Sequence, residues 1–313
     1  MTASLPSPEK PLKIGTRGSP LALAQAHETR DRLMAAHGLP AAAFEVVVIK
    51  TTGDAVTDRP LGEIGGKGLF TKEIEEALLS GAIGIAVHSM KDMPTELPPG
   101  LTIPCLLPRE DVRDAFVSLT HENLAAIPAG GVVGTSSLRR RAQLLHRFPH
   151  LKVVEFRGNV QTRLRKLGDG VAEATFLACA GLRRLGQADL IRMALDPAEM
   201  LPAVAQGAIG IEIRADDGAT AALLAPIHDA PTGTRLAAER AFLAALDGSC
   251  RTPIGGLAEI AGERLHFRGE IIRPDGSECL TTERHGTLAD AAEMGADAAA
   301  ELRRRAGPGF FDA

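Results

Sequence analysis

The order of apolar segments predicts an α/β protein whose last third is a small α+β domain. Three observations carry this. Strand-length apolar runs alternate with amphipathic stretches, the alternation restarts after a proline-bearing connection at 107–114, and from about residue 232 it gives way to a long helix followed by strands. Strand–helix–strand order favours a parallel sheet with helices on both faces.

The elements follow in order. Residues 12–16 read as a strand, and a helix starts near Pro20, where proline suits the first turn. Residues 44–50 form the second strand. Residues 51–67 are polar and glycine-rich without periodicity, long for a connection, and such loops are usually lids or binding loops. A helix at 69–80 and a strand at 83–87 complete the first unit. The second unit has strands at 132–134, 153–156 and 174–178, with helices at 137–147, 160–167 and 180–185. In 207–214, Ile209, Ile211 and Ile213 alternate with other residues, which reads as a strand; the placement of the motifs, not this periodicity, suggests that it returns the chain to the first sheet. A helix at 232–246 leads to antiparallel strands at 254–260, 265–272 and 279–283, with Pro274-Asp275-Gly276 turning between the last two. A closing amphipathic helix covers 288–305. These boundaries give a disordered leader at 1–10, a first lobe from 11–107 and 208–227, a second from 112–202, and a third domain at 230–313.

Composition narrows the function. Hydrophobic residues make up 45% and charged residues 24%, the usage of a globular protein, and no apolar run approaches a membrane span. The first ten residues lack an apolar signal core, so the expected location is the cytoplasm. The four cysteines are scattered without CxxC spacing, which argues against a disulfide framework or a metal site. The formal charge is −4, yet 139–184 holds eleven basic residues against three acidic ones, a local excess of +8 that points to a polyanionic ligand. There is no Trp or Tyr, so the stacking platform of a single-strand nucleic-acid binder is missing. The arginines also sit at separate strand ends, which favours a small polycarboxylate over DNA or RNA.

The candidate chemistry lies at strand-to-helix junctions. Gly15-Thr16-Arg17-Gly18-Ser19-Pro20 offers free N–H groups and a guanidinium to an anion; it is equally a capped helix start with a solvated arginine. His88-Ser89-Met90-Lys91-Asp92 follows an apolar strand, where open α/β sheets bind ligands, or else is a surface turn ended by Pro94. Gly134-Thr135-Ser136-Ser137 before Arg139-Arg140-Arg141 repeats the first design, against the reading of an N-cap with a basic solvated face. Arg157-Gly158-Asn159 with Arg163, then Arg183-Arg184, and then the loop Pro202–Gly207 carrying Gln206, mark further junctions. Cys250 sits in a Gly/Ser loop beside Arg251, where a thiolate is favoured, unlike Cys105, Cys179 and Cys279 in apolar or strand-like surroundings.

Taken together, TRGSPLAL, GGKGLF, AVHSMKDMP, REDVRDAFVS, VGTSSLRRR, RGNVQTRL, AGLRRLG, QGAIGIE and RTPIGG closely resemble the hydroxymethylbilane synthase (porphobilinogen deaminase) family, from about Lys13 to the C-terminal helix. The resemblance implies two periplasmic-binding-protein-like α/β lobes around a cleft, and a third domain that bears a dipyrromethane cofactor as a thioether on Cys250. It implies a transferase that joins four porphobilinogen molecules head to tail on that primer and releases hydroxymethylbilane for tetrapyrrole and haem synthesis. Asp92, with Lys91, is implied as catalytic. Ser89, Thr135, Ser137, Arg139 and Arg140 are implied at the cofactor, and Arg17, Ser19, Gln25, Arg157, Arg163, Arg184 and Gln206 at the substrate; no metal is implied. A monomer without nucleic-acid or membrane partners is expected. Gly84, Cys179, Ala205 and Ser249 depart from the residues usual at their positions, which bears on local loop geometry. Two rivals are a solute-binding protein of the same architecture, which would carry no covalent increment in mass, and a nucleic-acid-binding regulator, which would bind DNA with strong salt dependence.

Overall fold

A computed structural model describes residues 5–55, 71–248 and 252–311. The chain divides into two compact units, Met1–Glu110 with Ala208–Gly233, and Asp111–Gly207 with Thr234–Ala313.

The first unit opens with β1 (Leu12–Thr16) and α1 (Pro20–His37). Ser19 caps α1 by accepting from the Ala22 N–H, Pro20 occupies the first turn, and Gly38 in the left-handed region ends it. Then come β2 (Phe44–Val48), a single turn α2 (Thr52–Ala55), α3 (Lys72–Leu79), β3 (Ile85–Ser89) and β4 (Leu101–Leu106). Of the expected 51–67 loop, residues 56–67 lie outside the described residues. Residues 7–10, expected within a disordered leader, close a turn in which the Lys10 N–H donates to the Ser7 carbonyl at 3.0 Å.

The second unit contributes β5 (Asp114–Ser118), β6 (Val132–Gly134), α4 (Leu138–Arg147), β7 (Lys152–Val154), α5 (Val160–Gly168), β8 (Ala174–Ala178), α6 (Cys179–Arg184) and β9 (Met193–Ala194). The chain then returns to the first unit through β10 (Ile209–Arg214) and α7 (Gly218–Leu224). Helix α8 (Ala230–Ala245) leads into β11 (Ile254–Ala261), β12 (Arg264–Ile272), β13 (Cys279–Thr287) and α9 (Ala291–Ala306).

The sheets are mixed, which corrects the expectation of parallel ones. In the first, ordered β2-β1-β3-β10-β4, the β1 pairings are parallel, whereas β10 runs antiparallel to both β3 and β4. The second has order β7-β6-β8-β5-β9, with β5 antiparallel to β8. In each, the antiparallel strand is the one that follows the change of unit, so it enters from a connection that no short-range pattern reveals. Period-two alternation covers both faces of each sheet. Ile85 and Val87 join the α1-side core with Ile14 and Leu33, while Ala86 joins Ile74 and Leu78 of α3. Likewise Phe116 packs with Phe176 and Leu144, whereas Ala115 and Val117 pack with Phe156 and Leu182.

The α+β region forms as expected: β11, β12 and β13 pair antiparallel in order, and Phe242 of α8 meets Phe267 at 5.0 Å between ring centroids. Gly276 in the turn after β12 has φ +78°, and any Cβ there would stand 2.7 Å from the His146 nitrogen, so the turn lies directly on α4. Several predicted strand ends shift slightly, among them 44–50, which stops at Val48, and 207–214, which begins at Ile209. The 83–87 strand is Ile85–Ser89, and the Gly84 N–H donates to the Lys13 carbonyl of β1 just before it. The 153–156 strand is Lys152–Val154, and the 279–283 strand continues to Thr287.

Candidate functional site

At the C-terminal edge of β1 and β3 a pocket is lined by Arg17, Ser19, Leu21, Ala22, Gln25, Thr71, Val87, His88, Ser89, Asp92 and Met93, all in the first unit. Parallel strands bring the two junctions together, since β1 and β3 are direct neighbours. Buried Gln25 and the Ser89 hydroxyl exchange hydrogen bonds, with Gln25 Nε2 to Ser89 Oγ at 2.8 Å and Ser89 Oγ to Gln25 Oε1 at 3.0 Å. This clamps helix α1 to the end of β3. Met90–Asp92 form one 3-10 turn, which leaves Asp92 exposed at the pocket and Lys91 half-buried on the same turn, outside the lining. The pocket therefore pairs an accessible carboxylate with the Arg17 guanidinium and hydroxyl or amide groups that are held in place.

Behind this turn lies a charged layer that the sequence reading did not single out. His88 Nε2 meets Glu212 Oε2 at 3.0 Å with both side chains buried, and Glu212 Oε1 and Glu75 Oε1 are buried without a hydrogen-bond partner. Burial pushes the Glu75 carboxyl above the usual carboxylate range, and the nearby Glu212 charge adds to it. Sequence carries no signal for it: the isoleucine alternation of β10 puts Glu212 on the opposite face, which reads as solvent-facing, and its burial comes only with tertiary packing.

In the second unit a different arrangement centres on Asp114. This fully buried carboxylate stands 2.8 Å from Arg139 Nη1 and 2.6 Å from Arg140 Nη2, and Gln206 Nε2 donates to it at 3.1 Å. Burial by itself raises a carboxyl, but the guanidiniums of Arg139 and Arg140 outweigh it and hold Asp114 well below the usual range. The arginines spread further: Arg139 Nη1 donates to the Leu201 carbonyl and Arg140 Nη1 to that of Phe176, both at 2.8 Å. Ser137 caps α4 by accepting from the Arg140 N–H, and buried Thr135 accepts from the Ser137 N–H at 3.2 Å. Asp114 escaped the sequence reading although it lies within the REDVRDAFVS run, because the mixed-charge stretch 109–114 looks like solvated surface.

The remaining arginines hold junctions of the second unit. Arg163 donates to the Gly158 and Phe176 carbonyls at 3.0 and 3.4 Å, and burial followed by the charge of Arg140 pulls its guanidinium down to about 10. Asn159 caps α5, Lys166 donates to the Arg157 carbonyl at 3.1 Å, and Arg184 donates to that of Gly207 at 3.0 Å. Ala205 adopts φ +60°, a conformation suited to glycine, while its N–H donates to Glu239 at 2.7 Å. Buried Gln206 thus braces Asp114, and its amide also donates to the Val112 carbonyl at 2.8 Å. Cys105 and Cys179 are fully buried, and burial raises their thiols to about 12 and about 11; Cys279 is raised to about 12 by burial and Glu270. All three fit the expected role of inert side chains. Cys250, the reactive candidate, lies outside the described residues.

Family models describe matching segments as "Porphobilinogen deaminase, dipyromethane cofactor binding domain" over residues 12–222 and "Porphobilinogen deaminase, C-terminal domain" over residues 234–304. The chain is 68% identical to porphobilinogen deaminase of Paracoccus denitrificans over 98% of both chains. It is 59% identical to porphobilinogen deaminase of Nitrobacter hamburgensis, over 95% of this chain and 94% of that one. Identity to the chloroplastic porphobilinogen deaminase of Pisum sativum is 58%, over 96% of this chain and 83% of that protein.

Proposed function

The chain belongs to the porphobilinogen deaminase family, and from that premise we propose which of its residues perform the family's reaction. The enzyme is a transferase that builds hydroxymethylbilane from porphobilinogen on a dipyrromethane cofactor, a step of tetrapyrrole synthesis. The division of labour that follows is our reading.

Cys250 holds the cofactor through a thioether. A dipyrromethane carries two carboxylates on each ring, and the second unit offers a matching donor set. Among the described residues Arg139 and Arg140 share one buried carboxylate, Asp114, so a positive excess remains beside the Ser137 and Thr135 hydroxyls at the start of a ten-residue helix. When bound, the cofactor supplies the free α-carbon on which the chain grows. Ser89, Thr135, Ser137, Arg139 and Arg140 hold its side groups.

Porphobilinogen is the substrate, and Arg17, Ser19, Gln25, Arg157, Arg163, Arg184 and Gln206 belong to its binding set. Arg17 takes a carboxylate, and the capped start of α1 beside it takes another oxygen. Asp92 accepts hydrogen bonds from the aminomethyl ammonium, then stabilises the positive charge that spreads to the pyrrole nitrogen when ammonia leaves. A carboxylate suits both steps because it attracts cations and brings no amine of its own. Lys91 assists by keeping the local charge near Asp92 balanced. The observation that carries this reading is the single pocket shared by Asp92, Arg17, Ser19, Gln25 and Ser89. We further propose that the protein acts as a cytoplasmic monomer without nucleic acid, and that residues 230–313 function as a separate cofactor-bearing domain.

The test is the mass of the intact protein. The wild type should exceed the bare chain by a dipyrromethane, and Cys250→Ser should lose that increment together with turnover. The same increment on the Cys250→Ser protein moves the attachment elsewhere.

A further inference from the structure

We propose that His266, Glu283 and His285 form a zinc-class divalent metal site on the outer face of the three-stranded sheet. The proposal stands apart from the reaction assigned above. Strands β12 and β13 pair antiparallel with His266 directly opposite His285, and Glu283 is two residues before His285, hence on the same face. Alternation along β13 is visible in the contacts. Thr282 and Arg284 turn inward to Glu301 and Asp297 of α9, while Glu283 and His285 are exposed on the other side. On β12, Leu265 and Phe267 fill the core and His266 points away from it.

The three side chains already converge. The imidazoles of His266 and His285 stack with centroids 4.3 Å apart and planes 4° from parallel, and His266 Nε2 is bonded to Glu283 Oε1. One ligand atom from each residue lies within 4.8 Å of the others. Four-coordinate zinc, with bonds of about 2.1 Å, needs its ligand atoms about 3.4 Å apart, so rotation about side-chain bonds closes the site on a fixed backbone. Arg268, the register partner of Glu283, donates instead to Glu259 at 2.8 Å, which leaves the Glu283 carboxylate turned to the histidines. Two imidazoles and a carboxylate leave a fourth position for water. This donor set selects zinc and its transition-metal neighbours over magnesium or calcium, which take oxygen ligands. A bound ion would tie β12 to β13 across the sheet.

The test is calorimetric titration of the cofactor-bearing protein with zinc chloride, with magnesium chloride as the control. One zinc per chain should bind, and magnesium should give no heat. His266→Ala and His285→Ala should each weaken zinc at least about tenfold, with turnover unchanged. Cobalt(II) gives a second readout, a visible absorption band of the four-coordinate ion that His285→Ala abolishes. The proposal fails if the wild type binds no zinc, or if a His266→Ala/His285→Ala protein binds it with the wild-type affinity and stoichiometry. A Cys250→Ser protein should bind zinc as the wild type does; loss of binding there would place the metal on the thiol instead.

Discussion

Asp92 follows β3 in the first unit on an exposed turn, whereas Asp114 opens β5 in the second unit and is fully buried against Arg139 and Arg140. Both are single acids at the ends of sheet strands, and both have arginine in the neighbourhood. The difference lies in what each has already spent its charge on. Asp114 is committed to two guanidiniums and an amide, so its work is to fix Arg139 and Arg140 in place. Asp92 has solvent on one side and a pocket on the other, and its charge remains available to a cationic ligand. A carboxylate in a site is thus read by its partners before its position.

The largest effect that would sharpen this contrast is on folding. Asp114→Ala leaves two buried guanidiniums without their counter-charge and should destabilise the second unit by about 3–5 kcal/mol, read from denaturant unfolding. If stability is unchanged, the pairing has no structural role and the contrast breaks. Asp92→Asn should leave unfolding within about 0.5 kcal/mol of the wild type, as for an exposed substitution. It should nevertheless lower turnover by roughly 10²–10³, the scale for removing one preorganised electrostatic group, as measured by porphobilinogen consumption. Acid titration separates the two residues further. Because Asp114 is depressed in the folded state, its stabilisation is complete above the ordinary carboxylate value of about 3.9 and is lost as pH falls from there through the depressed value. The stability gap between wild type and Asp114→Asn should therefore be constant from neutral pH to about 4 and narrow below it. The smallest effect concerns the loop that carries Gln206 to Asp114. At Ala205, φ +60° tolerates glycine, so Ala205→Gly should shift stability by less than about 1 kcal/mol, whereas branched Ala205→Val should cost about 2 kcal/mol. Equal effects would mean that the loop relaxes freely and does not hold Gln206.

The strand-end junctions were legible because each combines an apolar run with small polar residues, a local signal. The parallel neighbours β1 and β3 then bring Arg17 and Asp92 together as the pattern implies. The sequence reading assigns no element to β4, which contains Pro104; the proline is tolerated there because β4 is the sheet edge and its ladder with β10 shifts register between Ile211 and Ile213. Strand β5 begins at the last residue of the proline-bearing connection and runs through residues to which the sequence reading assigns no element, and β9 is only two residues long. The buried ion pairs were not legible either, since Arg139 meets Asp114 and His88 meets Glu212 only after distant segments have folded together. Composition showed the arginine excess but not which arginines were already neutralised.

The place of β10 has a bearing on biosynthesis. It sits between β3 and β4, yet it emerges from the ribosome only after β4 and all of β5–β9. At elongation rates of about 5–20 residues per second, the first lobe waits several seconds with a gap in the middle of its sheet. Nascent chains stalled just short of residue 209 should therefore expose those unpaired strand edges to chaperones, and release should follow once that one hairpin-less strand is threaded in.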